Sequence, residues 1–206
     1  TIIIDRPGSQ QSLILAAHLA PPTGIDNNIA IETMNQTLGG AFTARVNMNL
    51  REDKGWAYGA YTFLQDARGQ RPFMVYAPVQ TDKTGASLVE LKKELNSYLG
   101  DKPPMPDELE RARLDQVRSL PGQYETSTAV LGSLLSSSRF NRPYNYPETL
   151  VEQYNALTLD DLEKAAAQVV MPGKLTWLII GDAEKIKEEV EAAGVGPVSV
   201  QSMSSL

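Results

Sequence analysis

The 206-residue sequence contains no cysteine and a single histidine, His18. Without thiols there are no disulfides, no thiolate metal ligands and no cysteine nucleophile. Compartment stays open, because a cysteine-free chain tolerates oxidising and reducing surroundings alike. A protein zinc site usually draws on two or three imidazoles or thiolates, so one histidine does not build an ordinary one within this chain. Long apolar runs are also missing, and none approaches the ~20 residues of a membrane-spanning helix. Lys and Arg are nowhere concentrated, and 19 basic against 25 acidic residues give a net charge of -6. That pattern argues against a nucleic-acid footprint and against polybasic attraction to a membrane surface. The opening Thr1-Ile2-Ile3-Ile4-Asp5 has no basic leader, no long apolar stretch and no initiator Met. It reads as an excised domain or a processed product rather than a signal peptide.

An apolar fraction of 42% is enough for a packed core, so disorder is not the default reading. Ile2 to Asp5 and Gln11 to Leu19 read as strands, the second stopped by Pro21-Pro22. A helix is expected after Gly24, with Asp26 as N-cap and Gly39-Gly40 as its end. Phe42, Val46 and Leu50 suggest a second short helix ending near Gly55. Ala57 to Leu64 and Phe73 to Val79 make a hairpin, in which Pro78 marks an edge or a strand end. Thr81 or Asp82 caps a helix carrying Leu88, Leu91, Leu95 and Leu99. Pro106 opens another, running to about Leu120, and a further one passes through Val130, Leu131, Leu134 and Leu135. After a helix over Glu148 to Ala156, Thr158 and Asp161 form a capping box for Leu159 to Val170. Leu175 to Ile180 is a buried-type strand, followed by an amphipathic helix ended by Gly194 and a tail with one short strand at Val198 to Val200. Strands and helices do not alternate regularly. The expected fold is therefore α+β: one domain over residues 1–206, two-layer, with a mainly antiparallel sheet and helices packed on one face.

The stretch Leu38 to Tyr58, LGGAFTARVNMNLREDKGWAY, carries the most information. It resembles the insulinase/pitrilysin (inverzincin) family of zinc metallopeptidases, whose second domain has a Gly-rich turn, an "F-S-S-R-L" helix and "L-R-E-x-x-G-L-A-Y". The matching residues are Gly39, Gly40, Phe42, Arg45, Leu50, Arg51, Glu52, Gly55, Ala57 and Tyr58. Leu120 to Thr126 (LPGQYET), the unit from Leu157 to Asp182, and the opening DRPGSQQS are similar to other segments of the same domain. The family's H-x-x-E-H zinc motif is absent, and His18 has no partner histidine.

The resemblance implies the second, non-zinc half of a paired-domain peptidase, with a metallohydrolase half-domain fold of the LuxS/mitochondrial processing peptidase-like type. Zinc is expected in a partner domain bearing HxxEH, on the same chain or a separate subunit, with a peptide as substrate. No cofactor is expected in this chain, and this fragment alone is expected to be inactive. By the same resemblance Arg51 and Tyr58 hold the substrate backbone and hydrogen-bond the oxyanion. Gly39 and Gly40 join them as substrate-binding residues, although a glycine pair after a helix also serves as a C-cap. The bland alternative makes Arg51 a surface arginine paired with Glu52 or Asp53, and Tyr58 a half-buried strand residue. Arg45 reads as a structural ion-pair residue, His18 as a strand residue, and Ser136 to Ser138 as a polar helix end. Trp56 and Tyr61 line a chamber or pack the sheet, with packing favoured for Trp56. A non-catalytic structural or partner subunit of the same family is the alternative function. Location stays open, with a periplasmic or exported bacterial setting drawn from the family alone.

Overall fold

The computed structural model describes residues 1–202, so the end of the C-terminal tail, residues 203–206, lies outside the described residues. Six strands form one sheet: β1 (Ile2–Asp5), β2 (Gln11–Ala20), β3 (Tyr61–Leu64), β4 (Arg71–Gln80), β5 (Thr176–Gly181) and β6 (Ser199–Ser202). Their order across the sheet is β3-β4-β2-β5-β1-β6. The three pairings that build its centre and the β3 edge are antiparallel. Those of β1 with β5 and of β1 with β6 are parallel. The sheet is thus mainly antiparallel and carries a parallel edge that joins the two ends of the described chain.

Alternation along the strands separates two faces. Ile14 and Ala16 on β2, Phe73, Val75 and Ala77 on β4, and Trp177 and Ile179 on β5 are buried under helices. The helices are α1 (Asn28–Asn35), the short α2 (Arg45–Asn47), α3 (Thr84–Leu99), α4 (Pro106–Ser119), α5 (Ser127–Arg139), α6 (Tyr146–Ala156), α7 (Leu159–Val169) and α8 (Ala183–Ala192). Fully burying side chains such as Leu88, Leu91, Leu162 and Ile186, each at 0–1% exposure, stabilises the fold by about 1.5–3 kcal/mol per residue. Among the described residues, the opposite face has no such cover. Leu13 and Leu15 are only partly buried, and Tyr61, Phe63 and Tyr76 remain exposed. The register sets Tyr61 opposite Tyr76 and Tyr76 opposite Leu15, so these rings and Leu15 form one apolar band.

Several local expectations need correction. The cap of α1 is Asn27 rather than Asp26, and it makes no side-chain capping bond. The helix also does not stop cleanly at the glycine pair: it widens into a π-turn over Gln36–Gly40. A second π-turn, Met48–Asp53, extends α2. Residue 57 makes only an isolated bridge to Val79, and the continuous strand begins at Tyr61. On α3, Tyr98 is buried where Leu99 was expected, and Leu99 is 41% exposed. Pro78 lies inside β4, which runs the full length of β2. Its ring is tolerated because the Gln80 N–H, two residues on, points to the β3 side and donates to the Trp56 carbonyl at 3.0 Å. Pro78 therefore also turns its nitrogen to that side, beyond the last paired residue of β3, and no ladder bond is lost.

The capping box stands as expected. Thr158 Oγ1 accepts from the Asp161 N–H, and Asp161 Oδ2 accepts from the Thr158 N–H at 2.9 Å. Gly194 ends the α8 segment with φ +64, a conformation suited to glycine. Among the described residues, no helix is long and apolar enough to cross a membrane.

Candidate functional site

The stretch from Leu38 to Ala60 is folded by close packing and one buried amide. A Cβ built on Gly39 would stand 2.5 Å from Thr62 Oγ1 and 2.6 Å from the Thr62 nitrogen. One built on Gly40 would stand 2.8 Å from Asn35 Nδ2. Gly39 thus lets the first π-turn lie directly against β3, and Gly40 lets it pass close to Asn35 at the end of α1. Asn47, fully buried, then ties the segment together. Its Nδ2 donates to the Phe42 carbonyl at 2.6 Å, and its Oδ1 accepts from the Ala60 N–H at 3.1 Å.

Between these tied ends, Arg51 and Tyr58 come together. Arg51 sits on the second π-turn, and Gly55, with φ +66, reverses the chain just after it. The Arg51 guanidinium carbon lies 4.5 Å from the centre of the Phe42 ring and 5.2 Å from that of Tyr58. Both separations are within cation–π reach. The one polar partner of Arg51 among the described residues is Glu52, Nε to Oε1 3.1 Å. Most of its donors are therefore free for an outside acceptor. Tyr58 is 86% exposed, so its hydroxyl faces outward beside the cation. The pair lies on an open surface. The Tyr61 ring lies over Gly59, the neighbour of Tyr58 in the chain, because the absence of a side chain there leaves room: a Cβ would stand 2.7 Å from the Tyr61 hydroxyl. The site is thereby continuous with the apolar band on the uncovered sheet face. Phe42, expected on the face of a short helix, lies before α2, is 52% exposed and meets the Arg51 guanidinium instead.

Other candidates have structural roles. Trp56 packs partly buried on the core, with the Lys54 ammonium 5.8 Å from its ring. Arg45 pairs with Glu108 at 2.5 Å, donates to the Pro103 carbonyl at 2.8 Å and to the Lys102 carbonyl, and lies over the Tyr98 ring. His18 is buried, stacked 5.2 Å from Phe73, with one ring nitrogen against the Leu19 carbonyl and the other accepting from the Met171 N–H at 3.4 Å. Burial pushes its pKa down, the Leu19 carbonyl raises it, and Lys174 lowers it further. With both nitrogens engaged, His18 does not fit a metal ion. Among the described residues, no three His, Cys, Asp or Glu side chains are grouped to hold one.

The family model described as the peptidase M16 inactive domain matches residues 1–114. A solved peptidase M16 inactive domain from Pseudomonas fluorescens is 25% identical with a TM-score of 0.78, over 87% of this chain and 42% of that one. A protease from Helicobacter pylori, 17% identical, gives a TM-score of 0.77 over 87% of this chain and 43% of its own. The periplasmic protease PqqL from Escherichia coli, 14% identical, gives 0.72 over 86% and 20%. The chain thus spans well under half the length of these structures. No curated protein sequence matches it. The Leu38–Tyr58 pattern, the one-sided sheet and the family match over more than half the residues agree, and the chain belongs to the peptidase M16 inactive-domain family.

Proposed function

We propose that this domain is the substrate-gripping half of a zinc-dependent metalloendopeptidase, in which Arg51 and Tyr58 hydrogen-bond the backbone of an extended peptide and its developing oxyanion. The observation that carries the reading is the Arg51 guanidinium, within cation–π reach of two rings with most of its donors unspent, beside an exposed phenol. The rings hold the cation without consuming its N–H groups, so it is preorganised at little cost in side-chain entropy. A guanidinium offers several N–H donors to a carbonyl oxygen, and a phenol adds one more without adding formal charge. The apolar band of Tyr61, Phe63 and Tyr76 provides a wall against which an extended peptide lies.

The metal and the general base are assigned to an HxxEH-bearing domain, on the same polypeptide or a separate one, where zinc supplies an activated water and polarises the carbonyl. This chain's part is binding and orientation, with donors aimed at the oxygen where charge develops. The test assembles this domain with its HxxEH-bearing mate and follows cleavage of quenched-fluorescence peptides with and without chelator. Arg51→Ala and Tyr58→Phe are each expected to lower turnover by roughly 10²–10³ while leaving the melting profile unchanged. Unchanged turnover in both variants removes the assignment. A stable but inactive zinc-loaded assembly of the unaltered proteins indicates instead a non-catalytic partner subunit.

A further inference from the structure

A second set of polar groups, remote in sequence from Arg51, lines a cavity of about 300 Å³ between α1, α5, α6 and the turn Pro121–Tyr124. Its apolar side belongs to the smaller hydrophobic cluster, in which Ile29, Leu150 and Tyr154 pack together. Tyr124 and Tyr146 bring aromatic surface, and α5 turns small residues, Gly132 and Ser133, toward the same space.

The cavity also receives two opposite charges. Glu32 comes from α1 and Arg142 from the loop between α5 and α6. Glu32 accepts one hydrogen bond, from Asn28 Nδ2 to Oε1 at 2.7 Å. Asn28 is itself fixed by Arg71, which donates to its Oδ1 at 2.8 Å. The second carboxylate oxygen of Glu32 has no hydrogen-bond partner among the described residues. Arg142 stacks 4.6 Å from the Tyr146 ring centre and 5.4 Å from that of Phe140. Its guanidinium makes neither an ion pair nor a hydrogen bond among the described residues. Burial pushes the Glu32 carboxyl up, the Asn28 bond lowers it, Asp66 raises it, and Arg142 and Arg71 lower it. Arg142 and Glu32 are therefore close enough to feel each other's charge, yet they do not close into a pair. Two charges of opposite sign that line one cavity without pairing leave hydrogen-bonding capacity on both for a ligand that carries the complementary charges.

We propose that this cavity binds a small zwitterion of the free α-amino-acid class, its carboxylate on Arg142, its ammonium on Glu32 and its side chain against Tyr124, Tyr154 and Leu150. The volume lies at the low end for ligand pockets, which suits one amino acid. The Tyr154 hydroxyl is turned to Gln116 Oε1 at 3.4 Å, so Tyr154 offers the cavity its ring. Binding here needs neither Arg51 nor Tyr58.

Calorimetric titration of the purified chain with a panel of free amino acids, and with their N-acetyl and C-amide derivatives, tests the assignment. Free amino acids with apolar or aromatic side chains are expected to bind, and masking either charge weakens binding by roughly tenfold or more. Arg142→Gln is expected to erase the preference for the free acid over the amide while keeping that for the free amine. Glu32→Gln, which retains an acceptor for Asn28, is expected to do the reverse. Absence of binding by every free amino acid up to about 10 mM overturns the proposal. So does equal binding of the masked derivatives, or loss of both preferences together in a variant that circular dichroism shows to be folded. If a variant fails to fold, the masked-ligand series on the unaltered protein decides.

Discussion

Arg71 lies fully buried at the start of β4, and each of its nitrogens is engaged. Nε donates to the Pro21 carbonyl at 3.1 Å, Nη1 to Thr23 Oγ1 and Asp66 Oδ1 at 3.2 Å each, and Nη2 to Asn28 Oδ1 at 2.8 Å. Arg51, on the second π-turn, is held by ring faces and one neighbouring carboxylate. The difference lies in what is left over. The Arg71 guanidinium is used up in joining the end of β2, the loop to α1 and the start of β4. Rings position the Arg51 guanidinium and leave its donors free, so only this one has hydrogen-bonding capacity for a second molecule.

Stability measurements separate the two most sharply. Arg71→Met strands the Pro21 carbonyl and Asn28 Oδ1 without their donor, while Thr23 Oγ1 keeps the Ala67 N–H. It is expected to cost about 3 kcal/mol in denaturant unfolding, with Asp66 adding little because its side chain is 51% exposed. Arg51→Met is expected to cost less than about 1 kcal/mol. Equal losses in the two variants break the contrast.

The next effect concerns the packing beneath the Arg51 segment. Gly39→Ala drives a methyl into the Thr62 backbone and is expected to cost about 1–3 kcal/mol. Gly69→Ala, at a turn where a Cβ meets nothing within 4 Å, serves as its neutral control in the same thermal melt. The smallest effect belongs to an exposed local bond far from either arginine. Thr158→Ala is expected to cost about 1 kcal/mol through loss of the N-cap. Hydrogen bonds from the Thr158 hydroxyl and N–H hold the Asp161 carboxyl below its ordinary value. A depressed carboxylate contributes stability above the usual carboxylate pKa and loses it as pH falls through the depressed value. The melting temperature of Thr158→Ala is therefore expected to fall less steeply than that of the unaltered protein between about pH 5 and pH 2.

The sheet's strands were legible because alternation and prolines mark them, and the α7 cap because its signal lies within four residues. Arg51 and Tyr58 were singled out through the resemblance of Leu38 to Tyr58 to a family pattern, and the fold brings their side chains together. Other features depend on contacts no local window contains. The parallel pairing of β1 with β5 joins residues more than 170 positions apart. The burial of Tyr98 in place of Leu99 follows from its hydroxyl meeting Thr37 at 2.5 Å, deep under α1. Glu32 and Arg142 look unremarkable in sequence, since their relation exists only once α5 and α6 fold back over α1.

Asn47 has a reach beyond its own pair of hydrogen bonds. One carboxamide spans from the Phe42 carbonyl to the Ala60 N–H, and so ties from inside the core the backbone that carries the Phe42 ring to the backbone two residues beyond Tyr58. The two segments on either side of Arg51 are therefore joined at a position fully hidden from solvent, out of reach of anything that meets the surface.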